Sequence, residues 1–286
     1  MKTVNISHSL PIGSIAVKRF HGNEWTFEFP RLRPEVYEFF RNALDLRDAG
    51  DAVQAEKDLR LLVEGYPEFI DAFHHLAIIL YESDRYSEAS EYWQYAVEVG
   101  LQAVPETFKV GSHRLPWIIL ENRPFLRAYH SWGLKHLNCA DIQTASSIFQ
   151  TILAMNPNDN QGIRSLLVDC YFRLNKPNKV LQVCKQFRDD TMAEILYGRP
   201  LALLQSGQRD GAIRSLYQAI EFLPNVAKEL IKTRHPVPKE VQPDSVTMGG
   251  KDQAYYYWQQ QGEHWKNTSN AIEVVKECLS SLKNCK

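Results

Sequence analysis

Side chains of matching kind recur every 34 residues through the middle of this 286-residue chain, and a period of that length restricts the fold more than any other feature. The segment 35–67 carries one amphipathic stripe (Tyr37, Phe40, Ala43, Leu44) that ends near Gly50. A second stripe (Ala55, Leu59, Leu62, Val63) ends at Gly65-Tyr66-Pro67. Both stripes have the i, i+3/i+4 spacing of helices with one buried face, so the segment reads as a helix-turn-helix hairpin. One period on, Ala43 maps to Ala77, Leu46 to Leu80, Ala55 to Ala89 and Leu59 to Trp93. A third copy carries Tyr129, Gly133, Ala145, Phe149 and Asn156-Pro157. A fifth carries Leu203, Gly207, Ala212, Leu216 and Pro224. Between them 162–188 forms a degenerate fourth copy, with Leu167 and Lys179 where small residues are expected. Small residues let paired helices cross closely, aromatic and leucine side chains fill the gaps beside them, and the proline stops each second helix. A single hairpin cannot bury its own apolar face, so the copies must stack.

With these residues in place, the span 34–224 resembles the tetratricopeptide repeat family. The resemblance implies an all-α, TPR-like helical-hairpin solenoid whose first helices line a concave groove. Counting from the matched small residues puts His74 and Tyr81 of copy two on that groove, followed by Arg127 and His130, Arg164 and Tyr171, and Tyr197 of copy five. Guanidinium forks bind carboxylates in a bidentate way and tyrosines add contact area at low entropy cost, so such a groove suits an acidic peptide or a free carboxylate. In the other reading, Arg127 and Arg164 pair internally with Asp159, Glu121 or Asp71 and hold adjacent copies in register. Family members that grip acidic chaperone tails place Lys and Asn in the first helix of their first repeat. Here those positions are Phe40 and Leu44, so that form of binding is not expected.

The flanks differ. Residues 1–33 contain two alternating runs, 14–20 and 24–29, joined at His21-Gly22-Asn23, which predicts a β-hairpin expected to cap the exposed end of the first repeat, the other reading being a loosely held edge strand. An insertion at 99–122 carries Leu115-Pro116-Trp117-Ile118 and is expected to fold back on a repeat face. The region 225–286 reads as a linker followed by capping helices near 251–265 and 269–282. Its aromatic run Tyr255-Tyr256-Tyr257-Trp258 and Trp265 is expected to pack against copy five. Through these residues, and through Leu115-Pro116-Trp117 and Glu121-Asn122-Arg123-Pro124, the carboxyl-terminal part resembles the suppressor-of-tumorigenicity-7 family and its bacterial and plant relatives.

Composition narrows the function classes. Lys+Arg number 33 against 34 Asp+Glu, a balance unlike that of proteins whose affinity for nucleic acid rests on neutralising phosphates. No apolar run is long enough to span a bilayer, the start lacks a signal-peptide core, and five scattered cysteines without a C-x-x-C spacing read as reduced thiols, so a cytoplasmic location is expected. No nucleophile-elbow, P-loop, dinucleotide or zincin motif occurs. His74 and His75 point about 100° apart on a helix and cannot hold one metal together. Cys184 reads as a buried structural thiol and Asp189-Asp190 as the cap of the next helix. The expectation is a non-catalytic protein- or peptide-binding adaptor or scaffold that needs no cofactor. The alternative is a regulatory subunit switched by a small molecule or peptide seated in a closed polar pocket between the insertion and Arg127/Arg164. The oligomeric state is not legible.

Overall fold

The structure, a computed structural model, describes residues 15–239, 241–242 and 245–284. Ser14 of the predicted hairpin, Asn5, Pro243 and Cys285 lie outside the described residues. The chain divides into two compact units, one ending at Ile163 and the other starting at Arg164.

In the first unit a two-stranded antiparallel sheet, β1 (Ala16–His21) and β2 (Glu24–Glu28), precedes three helical hairpins. These are α1 (Pro34–Asp48) with α2 (Ala52–Gly65), α3 (Ile70–Glu82) with α4 (Tyr86–Gln102), and α5 (Arg123–Asn138) with α6 (Ile142–Met155). The second unit holds α7 (Ile163–Arg173) with α8 (Pro177–Gln186), then α9 (Ala193–Leu196) and α10 (Gly198–Gln205) with α11 (Arg209–Phe222). It ends with α12 (Pro224–Leu230), α13 (Lys251–Asn267) and α14 (Ala271–Asn284). This is the TPR-like helical-hairpin architecture with a small β-hairpin.

The turn residues show why the chain repeats. The residue that closes the first helix of each hairpin is left-handed in all five: Gly50 (φ 92°), Asp84 (φ 59°), Ala140 (φ 59°), Asn175 (φ 52°) and Gly207 (φ 72°). Asp51 and Asp141 then cap α2 and α6, accepting the amides of Gln54 and Thr144. Tyr66, Asn156 and Leu223 end their helices by leaving the helical region just before a proline, which disfavours that region in its predecessor. Ala43, Ala55, Ala77, Ala89, Ala145 and Ala212 are fully buried at the crossings, with Leu59, Phe149 and Leu216 beside them.

Copy four keeps its hairpin without the expected small residues. Lys179 is exposed, and Val180, one position later, is the side chain that faces inward. The small residue comes from the next copy: a Cβ on Gly198 of α10 would sit 3.2 Å from Val168 and 3.8 Å from Val180. The first helix of copy five is broken at Tyr197, because Pro200 has no amide to give Leu196.

The β-hairpin does not cap the first repeat, which corrects the expectation above. It docks on the α4–α5 insertion instead, where Val17 N–H donates to Ala103 O (3.0 Å), Trp25 N–H to Arg114 O (2.8 Å), and Arg114 N–H to Asn23 O (2.9 Å). The physical reason lies in the rings. Trp25 packs edge-on to Phe108, and Phe27 packs on Phe125, burying both strand residues against the insertion and α5. Within the insertion Leu115 and Phe108 supply the core, Trp117 is half-buried with the Arg123 guanidinium over its ring, and Ile118 is exposed. In the second unit Tyr257 and Trp265 of α13 pack on Tyr197, as the aromatic run was expected to do.

Candidate functional site

The first helices of the three hairpins in the first unit, α1, α3 and α5, neighbour one another. Their amino-terminal ends frame a solvent-open cleft of about 760 Å³. Its floor is aromatic: Phe40 lies 4.8 Å from Phe69 between ring centres, and Tyr37 meets Phe69 edge-on at 5.9 Å. The flanking walls draw largely on segments outside the helical repeats. One is the segment that leaves β2 (Phe29, Pro30, Leu32), and the other is the 3-10 turn Leu120–Asn122, which runs into Pro124 of α5. Tyr37 and Leu120 are 43% and 62% exposed, so the rim offers apolar surface to solvent, as interaction sites do.

At the inner end of the cleft a polar chain ties the three helices together. Arg127 donates to both carboxylate oxygens of Asp71 through one nitrogen (2.8 Å each). The Asp71 carboxylate lies 3.8 Å from His75 Nε2, and His75 Nδ1 accepts from Arg47 (3.1 Å). That bond leaves the His75 ring neutral, and burial pushes its pKa down to about 4. Burial lowers His130 to about 4 as well, and holds His74 well below the ordinary histidine range with help from His75, Arg127 and His130. These rings are uncharged at neutral pH. Arg127 is the internal pair with Asp71, so the inner end carries balanced charge and offers an acidic peptide little attraction.

The residues expected on a groove are therefore placed as follows. His74, Arg127 and His130 share one neighbourhood in the first unit, but His74 is buried. Tyr81, further along α3, accepts from Asn138 (3.0 Å) and packs on Tyr86 and Trp93. In the second unit Arg164 pairs with Asp190 and stacks over Phe187, so its ion pair is with a residue not foreseen. Asp190 also accepts the Met192 amide (2.8 Å) but is not the cap of α9, which is Met192. Tyr171 is buried, with its hydroxyl pushed up to about 12 by burial. Tyr197 is fully buried and donates to Leu223 O (2.8 Å). His74, Tyr171 and Tyr197 thus face packed helices and not an open groove. A first helix here is covered by more neighbours than its own partner (α3 meets α1, α2, α4 and α5), which leaves a narrower open stripe than the counting assumed.

Counting from the small residues missed the cleft, because its walls draw largely on segments outside the repeats. It also missed Asn122, a fully buried residue whose side chain bonds both strand and insertion. The one available signal was an asparagine two residues before a helix-opening proline. Among the described residues, no group of three or more His, Cys, Asp or Glu could hold a metal, and no helix is long and apolar enough to cross a membrane.

A family model described as Tcf25: Transcriptional repressor TCF25 matches residues 25–283. It spans the carboxyl-terminal part that was likened above to the suppressor-of-tumorigenicity-7 relatives. The sequence matches no curated protein. Among solved structures the chain is similar to MamA 41-end from Desulfovibrio magneticus RS-1, at 12% identity over 67% of this chain and 96% of that one (TM-score 0.50). A further MamA crystal structure is 16% identical over 71% and 98% (TM-score 0.50). YrrB, described as a TPR protein with an unusual peptide-binding site, is 15% identical over 65% and 85% (TM-score 0.49). At such identities the likeness is one of fold.

Proposed function

The chain belongs to the Tcf25 family, and from that premise we propose that it is a non-catalytic protein-interaction scaffold whose first unit receives an apolar segment of a partner protein. The observation that carries this reading is the aromatic cleft at the ends of α1, α3 and α5, with Tyr37 and Leu120 exposed on its rim. Open, mostly apolar concavities with a few polar groups at one end are where helical-repeat surfaces take up extended or helical segments. The family description, transcriptional repressor, suits a chain that works by holding other proteins together, since the near-neutral charge gives it no general grip on nucleic acid. The partner segment is mainly apolar, to match the aromatic lining, and Arg127 is not free to hold an acidic group because Asp71 already holds it. An open, mainly apolar cleft favours the adaptor reading over that of a ligand-switched regulatory subunit.

A photo-crosslinking amino acid placed at Leu120, at Tyr37, or at Val53 on the exposed side of α2 tests the reading. Partner adducts at Leu120 and Tyr37 but not at Val53 support the cleft. Equal adducts at all three, or adducts at Val53 alone, overturn it.

A further inference from the structure

The two walls of the cleft are separate in sequence, yet one side chain reaches the elements that carry both. Asn122 closes the 3-10 turn that bears Leu120 and Glu121 on one wall. Its Oδ1 accepts from Phe27 N–H (3.1 Å), while its Nδ2 donates to Trp25 O (3.1 Å) and to Pro116 O (3.1 Å). The side chain therefore sits against the edge of β2 like a short strand, with both of its N–H groups donating and its oxygen accepting. The chain continues from Phe27 to Phe29, whose ring stacks on that of Phe27 at 5.7 Å, and Phe29 with Pro30 and Leu32 lines the cleft as well. Phe27 is itself seated on Phe125 of α5 at 5.1 Å. A hydrogen-bonded side chain buried this deeply has a single arrangement, because breaking it strands polar groups away from water.

Building on the cleft reading above, we infer that Asn122 is the positioning residue that sets the spacing of the cleft walls, so that docking of the β-hairpin and occupancy of the cleft are one linked equilibrium. A ligand that touches both walls binds the docked state alone and so shifts the population toward it. Occupancy must then tighten the strand, and loosening the strand must weaken binding.

The test uses the whole chain and 8-anilinonaphthalene-1-sulfonate, whose flat rings match the aromatic lining and whose sulfonate can meet Arg41. Hydrogen exchange of the wild type is followed with and without saturating probe. Slowed exchange at the Trp25 and Phe27 amides, which face the insertion and not the cleft, supports the linkage. Slowing confined to the floor around Phe69 overturns it. In titrations Asn122→Asp, which sets a carboxylate against two carbonyl oxygens, is expected to weaken the probe about tenfold and to speed exchange over 24–34 and 114–124. Unchanged affinity in a folded Asn122→Asp chain overturns the role of Asn122 and leaves the cleft standing. If the wild type does not bind the probe, or Leu120→Asp binds it as well as wild type, the cleft reading fails and the linkage fails with it. Should Asn122→Asp not fold, the exchange measurement on the wild type still decides.

Discussion

Ala140 adopts φ 59° at the turn between α5 and α6, where Gly50 and Gly207 stand in the equivalent turns of copies one and five. A Cβ in the left-handed region costs about 1 kcal/mol or more, which glycine avoids. Ala140→Gly should therefore raise stability by about 0.5–1 kcal/mol after the larger chain entropy of glycine is charged against it, read as a shift in the urea midpoint without a change in slope. Gly133, which faces α6 in the same hairpin, shows the opposite sign. A Cβ there would lie 2.5 Å from Phe149 Cε1 and 3.1 Å from Ile148 Cγ2, both on the facing helix. Overpacking costs about 1–3 kcal/mol and the gain in helix propensity returns about 1, so Gly133→Ala should lose about 1–2 kcal/mol in the same assay. Gly133 was readable as a crossing point from spacing alone, whereas Ala140 carries no turn signal in the sequence. The cost of changing Gly133 was not readable, because it is set by atoms of a different helix.

At the scale of elements, the hairpins of the first unit are joined by ion pairs as well as by apolar packing. Arg60 of α2 reaches Glu88 of α4, and Arg85 reaches Glu56, on the second-helix side. Arg127 and Asp71 join α5 to α3 on the first-helix side, with Asp71 16% and Arg127 35% exposed. Replacing Arg127 by glutamate sets two carboxylates against each other in a half-buried place. That should cost about 2 kcal/mol, between the small values of exposed pairs and the larger ones of buried pairs. A midpoint shift of that size in chemical denaturation confirms a pair that holds register. An unchanged midpoint together with lost partner crosslinks would return Arg127 to the role of ligand. The spacing of small residues places Arg127 on the first-helix face of α5 and leaves Asp71 among its possible partners. Whether it pairs or binds depends on where one guanidinium comes to rest, which spacing along the chain does not fix.

The whole molecule carries a pH signature from its buried histidines. His75 and His130 have pKa values of about 4 in the folded chain, and His74 is also held low, against about 6.5 when unfolded. A group whose pKa is depressed on folding lends its full stability above the unfolded value. As pH falls from about 6.5 toward 4 the unfolded chain takes up protons that the folded chain refuses, and stability declines. Each such histidine adds a slope of up to about 1.4 kcal/mol per pH unit in that window. Denaturation midpoints measured between pH 7 and 4.5 should fall accordingly, and His75→Gln should flatten the fall by one histidine's share. An identical slope in the variant would show that His75 is not held neutral. The sequence by itself determined the period, the hairpins, the turn positions and the absence of known catalytic motifs, because these rest on local backbone preference and on apolar spacing along one helix. Tertiary structure alone decided that the β-hairpin docks on the insertion, that Gly198 replaces the small residues missing from copy four, and that Arg127 is held by Asp71. It also decided that the cleft draws on the segment after β2 and on the 3-10 turn before α5, both of which lie between repeats or outside them. These depend on which surfaces meet, and a meeting of distant segments through one side chain such as Asn122 leaves no periodic trace to read.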